Sequence, residues 1–337
     1  MKAVAYYQPL PSSDAQSLQD IELPAPTHGP RDLLVAVRAI SVNPVDSKIR
    51  RTVAPSEGQA KVLGWDVAGV VQAVGSAVSL FKVGDEVYYA GALQRAGGNS
   101  ELHVVDERIV GHKPKSLGFA EAAALPLTAI TAWELLFERL KIAEGSASTG
   151  QSLLIIGAAG GVGSILTQLA RQLTGLTVIG TASRPETAEW VGQLGAHHVI
   201  DHSQPLLPQL QQLGIEQVNH VASLTHTDQH FEQLIEALAP QGQLALIDDP
   251  AQLDVVKLKR KSLSLHWEFM YTRSLFETPD MQAQHALLQR VAQLIDAGTL
   301  HTTLGEHYGT INASNLRRAH ALLESGKARG KIVLEGF

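Results

Sequence analysis

The sequence predicts an α/β chain in two parts: a small all-β, barrel-like module, then a doubly wound parallel sheet flanked by helices. Three observations carry this. Residues 2–124 hold short apolar or alternating runs punctuated by Pro and Gly, with little helical periodicity. From about Ser152, strand-like runs alternate with helical patterns. At the head of that second part, four apolar residues run straight into a glycine-rich turn, Leu153-Leu154-Ile155-Ile156-Gly157-Ala158-Ala159-Gly160-Gly161-Val162-Gly163.

In chain order, the first part offers strands at Lys2–Tyr7, Leu33–Val42, Asp66–Val74, Asp85–Ala90 and Glu101–Val105. They are separated by Pro-Ala-Pro at 24–26, Gly-Pro at 29–30, Asn-Pro at 43–44 and Gly-Asp at 84–85. The pattern changes around Phe119–Ala124, and Ala129–Lys141 reads as a helix leading into the second part. There the strand-like runs are Leu153–Ile156, Leu176–Thr181, His198–Asp201, Val218–Ala222 and Leu244–Ile247. Helical patterns lie between them at Val162–Leu173, Pro185–Leu194, Leu206–Leu213 and Asp228–Leu238. Near-continuous apolar strands in βα repeats indicate a parallel sheet covered on both faces. Met281–Ala297 and Asn312–Ser325 are further amphipathic helices, and Lys331–Leu334 is a last strand returning to the first module. The expected division is 1–124, completed by 305–337, and 125–304.

A chain of 337 residues with 45% hydrophobic and 18% charged residues fits a globular protein of about two domains. A formal charge of −6 supplies no basic field, which argues against nucleic acid or an anionic membrane as the main partner. The absence of cysteine excludes disulfides, thiolate metal ligands and a cysteine nucleophile. The N-terminal MKAVAYYQPL lacks the apolar run of a signal peptide, and no stretch was expected to span a membrane; a cytoplasmic location is the expectation.

Behind the turn, Val162, Ile165, Leu166, Leu169 and Leu173 recur on one helix face, so the stretch reads strand, tight turn, helix. Such a turn lets the backbone approach a dinucleotide pyrophosphate, whose charge the N–H groups and dipole of the helix start favour. It reads Ala158-x-Gly160-x-x-Gly163, with Ala in the first glycine position, and its candidate phosphate contacts are Ala158, Gly160, Gly161, Val162 and Gly163. Rossmann domains that bind NAD place an Asp or Glu about twenty residues beyond the turn to bond the ribose hydroxyls. Here that place reads Thr181-Ala182-Ser183-Arg184, with no carboxylate. Ser183 and Arg184 are suited to a 2′-phosphate, which favours NADPH over NADH. The other reading makes Ser183 a cap for a helix with Pro185 in its first position.

The chain resembles the medium-chain dehydrogenase/reductase superfamily over essentially its whole length. The resemblance rests on Ser41-Val42-Asn43-Pro44-Val45-Asp46, Gly64-Trp65-Asp66-Val67-Ala68-Gly69-Val70-Val71, Val83-Gly84-Asp85-Glu86-Val87, Ala124-Leu125-Pro126-Leu127-Thr128-Ala129-Ile130-Thr131-Ala132-Trp133, the Gly157–Gly163 turn and Gly330-Lys331-Ile332-Val333-Leu334. Within it the chain is most similar to the quinone-oxidoreductase branch and to proteins called zinc-type alcohol dehydrogenase-like. The resemblance implies a GroES-like β module, a Rossmann domain and a homodimer through Rossmann edge strands.

Zinc alcohol dehydrogenases hold catalytic zinc with a Cys, the His of Gly-His-Glu and a later Cys. By pattern those positions are Asn43, Trp65 and Leu127, and an amide, an indole and an isobutyl group cannot replace thiolate, imidazole and thiolate. Fourteen histidines remain. His226-x-x-x-His230 has the spacing of two imidazoles on one helix face, but Thr227 stands where H-E-x-x-H has glutamate. His197, His198 and His202 flank a strand end. Solvent-facing polar residues are the plainer reading of both groups, and no metal is expected.

Without a Lewis acid, the feasible chemistry is hydride delivery from NADPH to an already electrophilic acceptor, a quinone or an α,β-unsaturated carbonyl. The resemblance places the Asn43 loop over the nicotinamide; Asn43 is either a donor there or turn chemistry before Pro44. Asp46 either orients Asn43 or Lys48, or caps a helix. Thr131 corresponds to a threonine that contacts the nicotinamide end. Trp65 and Leu127 line an apolar pocket, or Trp65 is core. In the aromatic segment Leu263–Arg273, Trp267 suits a subunit contact while Tyr271 and Arg273 are placed to reach ligand. Lys331 is either close to the cofactor or engaged in a salt bridge. Two rivals stay open: a zinc alcohol dehydrogenase with an atypical histidine site, and a non-catalytic NADPH-binding protein.

Overall fold

The structure is a computed structural model that describes residues 1–337. It divides into two compact units, 1–130 with 271–337, and 131–270. The first begins with β1 (Lys2–Tyr6), β2 (Gln19–Glu22), β3 (Asp32–Val42), α1 (Pro44–Thr52), β4 (Lys61–Val62), β5 (Val67–Val74), β6 (Glu86–Tyr89), β7 (Leu102–Asp106), β8 (Val110–His112) and α2 (Phe119–Ala123). Helix α3 (Pro126–Trp133) carries the chain into the second unit. That unit comprises β9 (Ser152–Ile156), α4 (Gly161–Leu173), β10 (Thr177–Thr181), α5 (Pro185–Gln193), β11 (His198–Ile200), α6 (Leu206–Gln212), β12 (Val218–Ser223), α7 (Thr227–Ala237), β13 (Leu238–Leu246) and β14 (Ser264–Trp267). The chain then completes the first unit with α8 (Thr272–Phe276), α9 (Ala283–Asp296), β15 (Leu304–His307), α10 (Ala313–Glu324) and β16 (Lys331–Glu335).

In the first unit a small sheet β2-β1-β4 accompanies a sheet ordered β15-β16-β3-β5-β6-β8, with β7 also pairing β3. The eleven-residue β3 is its spine, almost wholly buried and antiparallel to β5, β7 and β16. The pairing of Ile332 with Val42 shows the last strand returning to the first module, as its apolar run predicts. Helix α9 also packs here: the Tyr88 hydroxyl donates to the Leu288 carbonyl at 2.6 Å. Residues 271–304, which the sequence reading left with the second part, therefore belong to the first unit.

The second unit is a parallel six-stranded sheet ordered β11-β10-β9-β12-β13-β14. The order reverses direction at β9, the switch point where open α/β sheets bind ligands beyond the strands' carboxyl ends. Its core packs Leu154, Ile156, Ile179, Val221, Leu234 and Leu244, the apolar strand residues seen in the sequence. Strand β14 was not anticipated, because its alternation is hidden in an aromatic run.

The helix expected over 129–141 starts earlier, at Pro126, and its later half, Glu134–Arg139, winds as a π-helix. Beside that turn Glu134 and Glu268 are both buried, and Arg139 Nε lies 2.7 Å from Glu268 Oε2. The helical run Phe119–Arg139 is long and apolar enough to cross a membrane by length and composition, contrary to the expectation that no stretch would be. It is 78% buried within the protein, as a core helix is.

Two glycines shape the turn after β9. Gly157 has φ of 77°, a left-handed conformation that a side chain would strain. A Cβ on Gly163 would stand 2.5 Å from the Gly157 carbonyl oxygen and 2.6 Å from Ala158 Cα. Both neighbours are backbone and cannot rotate away. Gly163→Ala should cost about 1–3 kcal/mol of overpacking strain. Urea unfolding checks this; an unchanged midpoint would show that α4 sits further from β9 than described.

Candidate active site

In the first unit, the sequence-predicted residues Asn43, Asp46, Trp65, Leu127, Tyr271 and Lys331 are all buried. Asn43 is the residue before α1, and its backbone N–H donates to Asp46 Oδ2 at 2.8 Å. Asp46 thus caps the helix, the second of its two readings. The Asn43 carboxamide turns inward: Nδ2 donates to Asp66 Oδ2 at 2.8 Å and to the Trp65 carbonyl at 3.3 Å, while Oδ1 accepts from Lys331 Nζ. Lys331 also donates to the Val42 carbonyl and to Asp66 Oδ2, both at 2.9 Å. Asp66 Oδ1 accepts the Leu127 backbone N–H at 2.8 Å, in the first turn of α3.

This arrangement corrects two expectations. The Asn43 amide hydrogens are directed at protein acceptors, so the side chain is no donor to a substrate carbonyl. The three Lys331 protons are likewise taken, so the salt-bridge reading holds and contact with a cofactor does not. Asp66, quoted only as part of a motif, is the centre of the cluster; its place in Gly64-Trp65-Asp66 was the signal. Trp65 is 1% exposed, with Nε1 3.4 Å from the Ala92 carbonyl, and behaves as core. Leu127 is buried and joins the cluster through its backbone. Arg273 pairs with Asp280 at 2.9 Å.

Burial dominates the electrostatics. It pushes the Asp66 carboxyl up, while Lys331, Asn43 and the Leu127 N–H pull it back. N–H donors on both oxygens suit the carboxylate. Asp46 has no ammonium in hydrogen-bond contact, and burial raises it to about 7, against the Asn43 backbone donor and the more distant Lys331 charge. Burial also holds the Tyr271 hydroxyl well above its usual range, reinforced by the Asp46 and Asp66 charges.

In the second unit, Thr131 is buried on α3. Gly160 precedes α4, and the N–H groups of Gly161, Val162 and Gly163 open that helix without intrahelical acceptors. Ala158 is buried beneath them, against Gly180 of β10. The Gly157 N–H donates to Thr181 Oγ1 at 3.1 Å, tying the turn to the end of β10. Beyond it Ala182 is buried and Ser183 exposed. Arg184 Nη1 lies 3.4 Å from Glu186 Oε1. Arg184, not Ser183, is the residue capping α5, so Ser183 is left to solvent or ligand. Turn, helix start and acid-free strand end fit a nicotinamide dinucleotide with a 2′-phosphate. Sequence reasoning did not foresee that His202 and His230 meet, their ring centroids 6.0 Å apart.

Zinc does not fit. Its three family positions hold an amide locked by two partners, a buried indole and an isobutyl group, and an ammonium already sits among their acceptors. No three His, Cys, Asp or Glu side chains are grouped to hold a metal.

Comparison with known proteins agrees with this architecture. Residues 29–133 match the family "Alcohol dehydrogenase GroES-like domain" and residues 194–334 the family "Zinc-binding dehydrogenase". A zinc-type alcohol dehydrogenase-like protein of Staphylococcus aureus is 39% identical, covering 99% of both chains. A quinone oxidoreductase of Pseudomonas aeruginosa is 33% identical over 91% of each. A solved structure from Rhizobium etli, provisionally assigned as a zinc-dependent alcohol dehydrogenase, is 56% identical, covers 100% of this chain and 98% of its own, and has a TM-score of 0.97. A mycobacterial protein complexed with NADPH is 27% identical over 99% of each chain, with a TM-score of 0.83.

Two substitutions test the cluster. Lys331→Met leaves a buried carboxylate uncompensated and should cost about 3–5 kcal/mol, part of which Lys331→Met/Asp66→Asn should restore. Equal losses in single and double variants would show that the pair is not coupled. For Asp46 the folded state holds the proton more tightly than the unfolded chain, so its contribution is full below about pH 4 and is lost as pH rises towards 7. The stability of Asp46→Asn relative to the parent should therefore climb across that window, by at most about 1.4 kcal/mol per pH unit. A flat difference in pH-dependent urea unfolding would contradict the raised value.

Proposed function

The chain belongs to the medium-chain dehydrogenase/reductase superfamily, an oxidoreductase family, and we propose that it is an NADPH-dependent, zinc-independent reductase of quinones or α,β-unsaturated carbonyls. The observation that carries this reading is the replacement of all three zinc-ligand positions by a closed Asn43–Asp66–Lys331 network. An alkoxide formed from an alcohol would find no Lewis acid there, whereas an electrophilic acceptor needs none. The likeness to quinone oxidoreductases and to an NADPH complex supports the same reading.

When bound, NADPH would supply the hydride. The backbone N–H groups of Gly161, Val162 and Gly163 would hold its pyrophosphate, with Ala158 and Gly160 shaping the turn beneath. Ser183 and Arg184 would take the 2′-phosphate. Asn43, Asp46, Trp65 and Lys331 act by fixing one another; Thr131, Leu127 and Tyr271 are proposed to face the reacting end. Hydroquinone anions take their proton from water, so quinone reduction demands no dedicated side-chain acid. Placement in the cytoplasm is part of the proposal and rests on the need for a pool of reduced NADPH.

We also propose a homodimer through β14. It is the sheet's edge strand, and Trp267 and Phe269 beside it are 52% and 48% exposed. An open edge flanked by large apolar side chains favours pairing with a second copy.

The first test is NADPH consumption against ortho- and para-quinones and 2-enals, together with metal analysis of chelator-washed protein. Turnover without zinc is expected; no turnover with any acceptor would sink the reading, and one zinc per chain with alcohol oxidation would favour the rival. Arg184→Ala should weaken NADPH binding roughly 10- to 100-fold through loss of charge-assisted bonds, with NADH nearly unaffected. Parallel weakening of both would remove Arg184 from the 2′-phosphate. Phe269→Glu should sediment as a monomer; an unchanged dimer would place the contact elsewhere.

A further inference from the structure

Three histidines converge on the turn that follows β9, and neither the chemistry above nor the family likeness uses them. His202 comes from the loop after β11; His226 and His230 come from the start of α7, after β12. His202 Nδ1 lies 3.2 Å from Thr181 Oγ1, the same hydroxyl that accepts the Gly157 N–H. The imidazole is therefore coupled to the phosphate turn through one hydrogen-bonded atom. The β10–β11 register pairs Thr181 with Ile200, and the Ala182 N–H donates to the Ile200 carbonyl at 2.9 Å. Continued by two residues, that register sets His202 level with Ser183. On the other side His230 stacks edge-on against His202, and its Nδ1 is buried without a partner. His226 Nδ1 lies 2.7 Å from Thr225 Oγ1, and Thr225 Cγ2 stands 3.0 Å from where a Cβ on Gly157 would be.

We infer that His202, backed by His230 and His226, is a proton-accepting element of the adenosine 2′-phosphate site, so that NADP(H) binding is coupled to proton uptake while NAD(H) binding is not. This rests on the NADPH reading above. A neutral imidazole offers the phosphate one donor at most; a protonated one adds a full charge beside Arg184. The Thr181 hydroxyl can donate to a neutral Nδ1 or accept from a protonated one, so the ring is held in both states. The surroundings keep it neutral without ligand. Burial lowers His202, with Asp201 opposing and His226 assisting; burial lowers His230, assisted by His202 and His226 and opposed by Asp228 and Asp248. Arg184 and Glu186, at the start of α5, are the remaining charges at the end of β10. A dianion arriving there reverses the balance. Affinity then strengthens as pH falls through the bound-state value and levels off below the free-state value.

Acid-stable NADP⁺ and NAD⁺ are the probes. Titration calorimetry in buffers of different ionisation enthalpy should show net proton uptake with NADP⁺ near pH 7 and none with NAD⁺. NADP⁺ should bind about tenfold more tightly at pH 6.5 than at pH 8.5, corresponding to a one-unit shift. The phosphate's own second proton would be released on binding, so uptake reports the protein. His202→Gln should abolish both effects while keeping NADP⁺ preferred through Arg184, and His230→Gln should diminish them if the first variant folds poorly. Preferred NADP⁺ binding with no proton uptake, or uptake that survives His202→Gln, overturns the inference and leaves the NADPH reading standing. Equal binding of NADP⁺ and NAD⁺ overturns both.

Discussion

The Lys331–Asp66 pair fastens four pieces of chain that sequence keeps far apart. Lys331 opens β16, Asp66 precedes β5, Val42 ends β3, and Leu127 lies in the first turn of α3. Both side chains are at most 3% exposed, so each charge loses its water. A lone buried charge would be prohibitive, and the pair alone would be close to neutral for stability. Completeness makes it tolerable: Asp66 receives donors from Asn43, Leu127 and Lys331, and every Lys331 proton has an acceptor. Its carboxylate also faces the positive end of α3, where a negative charge is favoured. The last strand must therefore return to β3 before the first unit's interior is electrically balanced.

That balance bears on chemistry. Asn43 cannot be both the pin between Asp66 and Lys331 and a free hand over a substrate; its amide has only two hydrogens and one oxygen, and the cluster uses them. An internal ammonium with three acceptors occupies the ground a divalent cation would need. The chemistry left to the chain is positioning of a reductant and an electrophile, which asks more of shape and of the phosphate-binding turn than of acids and bases.

Much of the fold was legible because its signals are local. Continuous apolar runs of four to six residues, the Gly157–Gly163 turn and helical faces such as Val162–Leu173 each report on their own neighbourhood, and they appear as β9, α4 and their successors. What stayed hidden depends on partners distant in sequence. Lys331 and Asp66 are 265 residues apart, and nothing in either motif announces an ion pair. His202 and His230 belong to different βα units and meet only when α6 and α7 pack side by side. The unit boundary was misplaced because α9, amphipathic in sequence, does not say which apolar surface it will cover; the Tyr88–Leu288 contact does. Strand β14 was obscured because its aromatic residues read equally as ligand contacts.

The end of β10 gathers the remaining argument. An acid at Ser183 or Arg184 would bond ribose hydroxyls and repel a phosphate; instead Ala182 is small and buried, Ser183 exposed, and Arg184 leans on Glu186. Glu186 is more than half exposed, so this ion pair is the kind that contributes little and breaks cheaply. A phosphate dianion offers the same guanidinium a bidentate partner of higher charge, and the exchange leaves Glu186 in water with no desolvation cost. Arg184 is thus available without being unpaired. The neighbouring imidazoles add a second, titratable source of positive charge on the far side of the strand end, where a permanent cation would have destabilised a half-buried cluster that already holds three histidines.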